Sequence, residues 1–187
     1  FYPWGRCPPE LRDELMRYYE SAHVFAATLL SWIEQYSPGP VAEAYNEPLS
    51  NMVNGSEVTL LRILHYPPIS GAVNAIRAAP HEDINLITLL PMSSADGLEV
   101  LGGNDQWIPV PADFDHVVVN IGDMLQEASN GHFPSTTHRV VNPVNADMAG
   151  SRMSLPLFLH PRPDVVLSNR YTAKSYLDER LRELGVA

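Results

Sequence analysis

Between residues 57 and 165 the chain is a series of short apolar segments, rich in β-branched residues and separated by Pro, Gly, Asn and Asp. The segments are 58–66, 83–90, 98–101, 106–110, 116–121, 137–142 and 152–159. Parallel neighbours in a sheet need a long crossover, usually a helix, and this region contains no helix long enough. We therefore predict a mainly β fold with an antiparallel, double-stranded β-helix (jelly roll) core.

Helical patterns flank this β region. In residues 1–50, a helical support segment, apolar side chains recur every three or four positions, which predicts a long N-terminal helix packed on the core. They are Leu11, Leu15, Tyr18, Ala22, Phe25, Leu29 and Ile33. Ser37-Pro38-Gly39-Pro40 ends this helix, and 41–49 predicts a second, short one. A short C-terminal helix is predicted within 171–187, so we interpret 1–187 as a single domain with its core at 57–165.

Charge and composition exclude several classes of partner. The formal net charge of −10 argues against a nucleic-acid backbone or an acidic membrane as the main partner. No apolar run reaches the length of a membrane span, and the start of the chain is not a signal peptide. The single cysteine, Cys7, excludes an internal disulfide framework and indicates a reducing compartment, so we expect a cytoplasmic protein.

The chemistry is narrowed first by the motifs that are missing. The sequence has no phosphate-binding loop, no dinucleotide-binding glycine motif, no nucleophile elbow and no paired thiols. The remaining metal-binding groups are imidazoles and carboxylates, and His81 and Asp83 stand two positions apart at the start of a predicted strand. In an extended chain both side chains point to the same side, so they suit one divalent metal. A hydrogen-bonded surface pair is the alternative interpretation.

A third metal-binding residue would have to come from elsewhere in the sheet. His138 is the best candidate, because it stands near the start of a β-branched strand. The other histidines are interpreted as structural or surface residues: His23, His65, His116, His132 and His160. Two imidazoles and one carboxylate form the facial triad that binds ferrous iron and leaves coordination positions open.

Arg152 and Ser154 are also two residues apart on a predicted strand, so we expect them on one face. A guanidinium group and a hydroxyl group together suit a carboxylate ligand. A buried arginine without a carboxylate partner is costly, which favours an acidic ligand at this position. The Arg-x-Ser pair is a weak signal alone and gains specificity from the histidines and aspartate that precede it.

The ordered set His81-x-Asp83, His138 and Arg152-x-Ser154 resembles the Fe(II)/2-oxoglutarate-dependent dioxygenases, in their isopenicillin N synthase-like branch. The resemblance covers residues 57 to 165 and includes the leading helix. It implies three iron ligands, which are His81, Asp83 and His138. It also implies three residues that bind the distal carboxylate of 2-oxoglutarate, which are Arg152, Ser154 and, through its hydroxyl, Tyr66.

By this resemblance we expect dioxygen and 2-oxoglutarate to be consumed with release of succinate and carbon dioxide. A small organic substrate would be hydroxylated, desaturated or cyclised. Plant members carry Asn at the position of Leu64, and the synthase that names the branch keeps Arg-x-Ser without using 2-oxoglutarate. Two alternatives therefore stay open: an oxidase of the same fold that does not use 2-oxoglutarate, and a non-catalytic, cupin-like module that binds a metal or ligand. The family's usual N-terminal segment is missing from this sequence.

Overall fold

The computed structural model describes residue 5 and residues 7–68, 76–91, 93–113, 115–142 and 150–186. Its helices are α1 (Pro9–Tyr36), α2 (Gly39–Ala42), α3 (Leu49–Met52), α4 (Asp123–Ala128) and α5 (Ala173–Glu183). Its first five strands are β1 (Leu60–Leu61), β2 (Leu64–Tyr66), β3 (Ala78–His81), β4 (Ile87–Pro91) and β5 (Leu98–Leu101). The others are β6 (Trp107–Pro109), β7 (Val117–Ile121), β8 (His138–Val140), β9 (Arg152–Ser154) and β10 (Leu157–Leu159).

The strands form two four-stranded sheets and one two-stranded ribbon. The first sheet has the order β1-β10-β4-β7, the second has the order β3-β8-β5-β6, and the ribbon pairs β2 with β9. Every one of these pairings is antiparallel. The prediction of a mainly β jelly roll with a long N-terminal helix and a short C-terminal helix is confirmed.

Two segments that were predicted as single strands are each divided between sheets. Residues 58–66 form β1 in the first sheet and β2 in the ribbon, and 152–159 form β9 in the ribbon and β10 in the first sheet. Pro156 lacks a backbone N–H group, so it interrupts the ladder between β9 and β10. The backbone N–H of Arg62 donates to the carbonyl of Pro156 at 3.0 Å. The points at which the two segments pass from one sheet to the other therefore lie side by side.

Helix α1 packs on the first sheet, where it contacts β4 and β10. Its buried residues are Leu15, Ala22, Ala26 and Leu30. The predicted apolar face was wrong at two positions, because Leu11 and Phe25 are 47% and 44% exposed. Alanine at two successive turns of the helix leaves room for close approach to the sheet, so the contact face is centred on small residues rather than on Phe25.

Other local elements also differ from expectation. The predicted helix over 41–49 is wrong, since α2 ends at Ala42 and α3 starts at Leu49, directly after Pro48. The C-terminal helix starts at Ala173, where the Thr172 side chain and Ser175 form a capping box. Within the described residues, no helix combines the length and the apolar character needed to cross a membrane.

Candidate metal centre

The pairing of β3 with β8 brings two imidazoles together. His81 is the last residue of β3 and His138 is the first residue of β8, and the two are direct partners across the antiparallel ladder. Directly opposed residues place their side chains on the same side of a sheet. The two ring centroids are accordingly 4.3 Å apart, with His138 buried and His81 exposed.

Asp83 reaches the same position from a loop. The prediction that a strand starts at this residue was wrong, because β4 starts at Ile87 and β3 ends at His81. The backbone N–H of Asp123 donates to the carbonyl of Asp83 at 2.8 Å and holds the loop in place. The Asp83 Oδ1 atom is 3.8 Å from Nε2 of His138. One ligand atom from each of the three residues lies within 4.8 Å of the others.

Hydrogen bonds to the backbone set the tautomer of both imidazoles. Nδ1 of His81 is 2.8 Å from the carbonyl oxygen of Ala79, and Nδ1 of His138 is 2.9 Å from that of Thr136. A carbonyl oxygen only accepts, so each Nδ1 carries the proton and donates it. In the neutral form of each ring the lone pair is therefore on Nε2, the atom available to a metal.

Two polar residues orient the carboxylate of Asp83. The Thr88 hydroxyl donates to Asp83 Oδ2 at 2.6 Å, and Asn85 Nδ2 donates to the Thr88 oxygen at 2.8 Å. All three side chains are buried. Sequence analysis missed Thr88 and Asn85, although two polar residues in a buried apolar segment are an unusual pattern.

This donor set fits ferrous iron. Two imidazole nitrogens with free lone pairs and one carboxylate oxygen are the ligands of the facial iron triad. They come from β3, β8 and the loop before β4, and no fourth His, Cys, Asp or Glu among the described residues joins them. A metal held in this way keeps positions for other ligands, whereas a structural site normally surrounds its ion.

All six residues that were predicted as metal or 2-oxoglutarate ligands line one cavity of about 190 Å³. They are Tyr66, His81, Asp83, His138, Arg152 and Ser154. Within β9 the side chains of Arg152 and Ser154 are buried while Met153 is 44% exposed, so the expected shared face is confirmed. Tyr66 is the ladder partner of Arg152, and its ring centroid is 5.4 Å from the guanidinium carbon.

The Arg152 guanidinium is suited to an anionic ligand. Its side chain is only 1% exposed, and burial lowers its pKa from the ordinary value. Its Nε donates to the carbonyl of Ala95 at 3.0 Å, and among the described residues it forms no ion pair with a carboxylate. A buried cation that lacks a counter-ion is stabilised when an anion binds. Leu64, opposite Ser154, adds no polar group to this cavity.

A second cavity of about 600 Å³ adjoins the first, and the two share Arg62, His81, Asp83 and Phe158. Helix α5 supplies part of its wall. His160, interpreted from sequence as structural or surface, lies in this wall, and burial lowers its pKa to about 4. Its Nδ1 has no hydrogen-bond partner among the described residues. No other group of metal-binding side chains is found in the described part of the chain.

Residues 57–161, more than half of the chain, match the family model described as the 2OG-Fe(II) oxygenase superfamily. Flavonol synthase/flavanone 3-hydroxylase of Matthiola incana is 30% identical over 164 residues, which are 88% of this chain and 52% of that protein. The chain spans about half the length of the curated relatives it matches.

Two solved structures share both fold and sequence with the chain. One, from Shewanella oneidensis and provisionally named an oxygenase, is 58% identical with a TM-score of 0.90, covering 100% of this chain and 70% of that one. The other, from Caulobacter crescentus and provisionally assigned to the 2OG-Fe(II) oxygenases, is 33% identical with a TM-score of 0.80, covering 98% and 62%. With the family match over its core, the chain belongs to the 2OG-Fe(II) oxygenase superfamily.

Proposed function

We propose that this protein is an Fe(II)- and 2-oxoglutarate-dependent oxygenase that oxidises a small organic substrate. The observation that carries the proposal is the convergence of His81, Asp83 and His138 in the wall of a cavity that is also lined by Arg152, a buried guanidinium with no ion pair among the described residues. A metal centre beside a site for an acidic ligand is the arrangement that a metal-chelating keto acid requires. Family membership supports the same reaction class.

Each residue has a defined role in this proposal. His81 and His138 would hold the metal through Nε2, and Asp83 would hold it through a carboxylate oxygen. Bound iron supplies the activation of dioxygen, with 2-oxoglutarate converted to succinate and carbon dioxide. Arg152 and Ser154 hold the distal carboxylate of 2-oxoglutarate by charge-assisted and hydroxyl hydrogen bonds, and Tyr66 adds its hydroxyl. The protein itself positions the reactants and excludes water from them.

The substrate is expected on the side of the second cavity, because that cavity shares His81 and Asp83 with the first. A molecule there lies beside the metal while 2-oxoglutarate occupies the cavity of Arg152. Whether the substrate is hydroxylated, desaturated or cyclised would depend on which of its C–H bonds this cavity places next to the metal. The protein's contribution is to fix which bond that is.

The test is coupled measurement of oxygen uptake and succinate release by the protein loaded with Fe(II). We expect equal amounts of oxygen consumed and succinate formed, and loss of both iron binding and succinate in His138→Ala. His116→Ala is the matched control, because His116 is exposed and pairs with Asp113. Oxygen uptake without succinate would instead indicate an oxidase of the same fold. Absence of Fe(II) binding in the unaltered protein would indicate a non-catalytic module.

A further inference from the structure

Arg62, an exposed residue, lies where the two cavities meet, and its charge has no partner among the described residues. The residue follows β1 and lines both cavities, together with His81, Asp83 and Phe158. Its backbone N–H donates to the carbonyl of Pro156, which fixes the position of the main chain. Its guanidinium forms no hydrogen bond or ion pair with any residue that the structure describes. The five N–H groups of this side chain are therefore available to a ligand.

Among the other charged side chains in the wall of the second cavity, Arg180 and Glu82 have partners and the pKa of Asp123 is raised. Arg180 pairs with Glu179 at 3.2 Å and with Glu183 at 2.9 Å. Glu82 accepts a hydrogen bond from the hydroxyl of Thr137 at 2.6 Å. Burial and the neighbouring Glu82 raise the pKa of Asp123, so its carboxyl group is less readily ionised. Of the two arginines in this wall, Arg62 is therefore the one whose guanidinium can pair with a ligand without losing a partner among the described residues.

Much of the remaining wall is apolar. It includes the side chains of Leu60, Pro80, Ile84, Phe158, Leu177 and Leu181. The volume of about 600 Å³ is in the range of cavities that enclose a small organic ligand. A partly apolar wall with one guanidinium that has no partner among the described residues matches a molecule with an apolar body and a single anionic end.

We propose that the primary substrate is a monocarboxylic acid with an apolar body, whose carboxylate binds Arg62 and whose body occupies the second cavity beside His81 and Asp83. This inference rests on the proposed oxygenase function, since it concerns the substrate of that site. The planar guanidinium binds the two carboxylate oxygens through parallel N–H groups, and this contact sets which carbon of the substrate lies beside the metal.

The experiment compares acids with their primary amides, which keep shape and lose charge. The probes are hexanoic, 3-phenylpropanoic and 4-(trifluoromethyl)cinnamic acid and the corresponding amides. Their binding is measured by NMR titration of the full chain loaded with zinc and 2-oxoglutarate, which cannot turn over because zinc has no redox chemistry. We expect at least one acid to bind about tenfold or more tightly than its amide.

Three variants locate the source of this preference. Arg62→Met should remove it, and Arg62→Lys should restore part of it because the charge returns without the planar fork. Arg180→Met is the matched control, because Arg180 lines the same cavity but is already paired, and it should keep the preference. Thermal unfolding of each variant confirms that it is folded.

Several outcomes would overturn the proposal. These are equal binding of every acid and its amide, a preference that survives Arg62→Met, and a preference lost in Arg180→Met to the same extent. Weaker 2-oxoglutarate binding in Arg62→Met, with the acid preference intact, would assign Arg62 to the first cavity instead. Failure of the proposed function gives a different result: acids would bind through Arg62, but the iron-loaded protein would release no succinate.

Discussion

At the scale of single residues, each candidate metal ligand is held by a hydrogen bond to an atom outside the donor set. The imidazoles of His81 and His138 donate to backbone carbonyls, and Asp83 accepts from Thr88. These bonds fix the tautomer of each ring and the orientation of the carboxylate before any ion binds. Less conformational freedom is then lost on binding, which favours a high metal affinity.

Removing the hydroxyl of Thr88 should weaken metal binding. In Thr88→Val the carboxylate of Asp83 loses its 2.6 Å donor while the shape of the side chain is kept. We expect the affinity for Mn(II), used as a stable substitute for iron, to fall about tenfold or more, measured by calorimetric titration. The control is Thr137→Val, which removes an equally short bond to Glu82, a residue outside the donor set. Equal affinity in both variants would exclude this role for Thr88.

Arg152→Lys should raise the requirement for 2-oxoglutarate. Lysine keeps the charge but not the planar fork, so a charge-assisted bond worth about 2 kcal/mol is lost or weakened. We expect the 2-oxoglutarate concentration for half-maximal succinate release to rise about tenfold or more. Arg139→Lys is the control, because Arg139 pairs with Glu99 and stacks on Trp107 rather than lining either cavity. A 2-oxoglutarate requirement equal to that of Arg139→Lys would argue against a role of Arg152 in binding 2-oxoglutarate.

Residue types and short spacing predicted part of this site. Alternation along a strand placed Arg152 and Ser154 on one face, as the structure confirms. The same argument was applied to His81 and Asp83, but β3 ends at His81, so their proximity has another cause. Arg62 and Thr88 were not identified, because their importance depends on what surrounds them in space. An unpaired guanidinium and a buried hydroxyl bond leave no local sequence pattern.

At the scale of elements, the loop between β3 and β4 depends on close packing against the start of α4. A Cβ atom at Gly122 would overlap the side-chain oxygen and the carbonyl of Asn85, and would lie 2.8 Å from the carbonyl of Asp83. The backbone of Gly122 is extended, with φ −105° and ψ 169°, so the space available and not the dihedral angle requires glycine. The position of Asp83 is therefore set by a residue far along the chain.

Gly122→Ala should destabilise the fold and displace Asp83. The added methyl group meets backbone atoms, which cannot rotate away, so we expect a loss of about 3 kcal/mol in the free energy of unfolding. Mn(II) affinity should fall in the fraction that remains folded. Urea unfolding and metal titration measure the two effects. Gly103→Ala is the control, since its added Cβ would meet no atom within 4 Å, and equal stability of the two variants would contradict the packing argument.

The turn residues in the sequence predicted where strands end. They did not predict which strands pair with each other. The residues Gly, Asn and Asp that separate the apolar segments 98–101 and 106–110 do form a turn, which joins β5 to β6 at 102–105. The division of 58–66 and 152–159 between a sheet and a ribbon was not predicted. Sheet membership is decided by partners distant in sequence, such as Tyr66 with Arg152, and an alternating apolar pattern looks the same in either sheet.

At the scale of the whole molecule, the hydrophobic core and the cavities occupy different parts of the jelly roll. The main core joins α1, α3, α4 and the first sheet around fully buried residues such as Leu30, Met52, Leu125 and Leu157. The two candidate metal-binding histidines, His81 and His138, come from the second sheet. Stability and ligand binding therefore depend on largely different residues, which makes single substitutions in the cavities informative.

The stability of the metal-free protein should decrease in acid partly because of His160. Its pKa is about 4 in the folded protein against 6.5 ordinarily. Between these values the unfolded chain binds a proton that the folded chain does not, so stability falls as pH decreases from 6.5 to 4. We expect His160→Gln to remove about 2 kcal/mol of the decline between pH 7 and pH 5, measured by urea unfolding with a chelator. The control is the same substitution at the exposed His65, and an equal effect of the two substitutions would contradict this role of His160.

Among the described strands, β3 is at the edge of the second sheet, with β8 as its single neighbour. An ion bound to His81, Asp83 and His138 would tie this outer strand and the following loop to a segment more than fifty positions later in the chain. Such a cross-link limits fraying of the edge in the way that a covalent bridge would. On removal of the ion, amide hydrogen exchange should therefore accelerate first at residues 78–81, while α1 and its core stay protected.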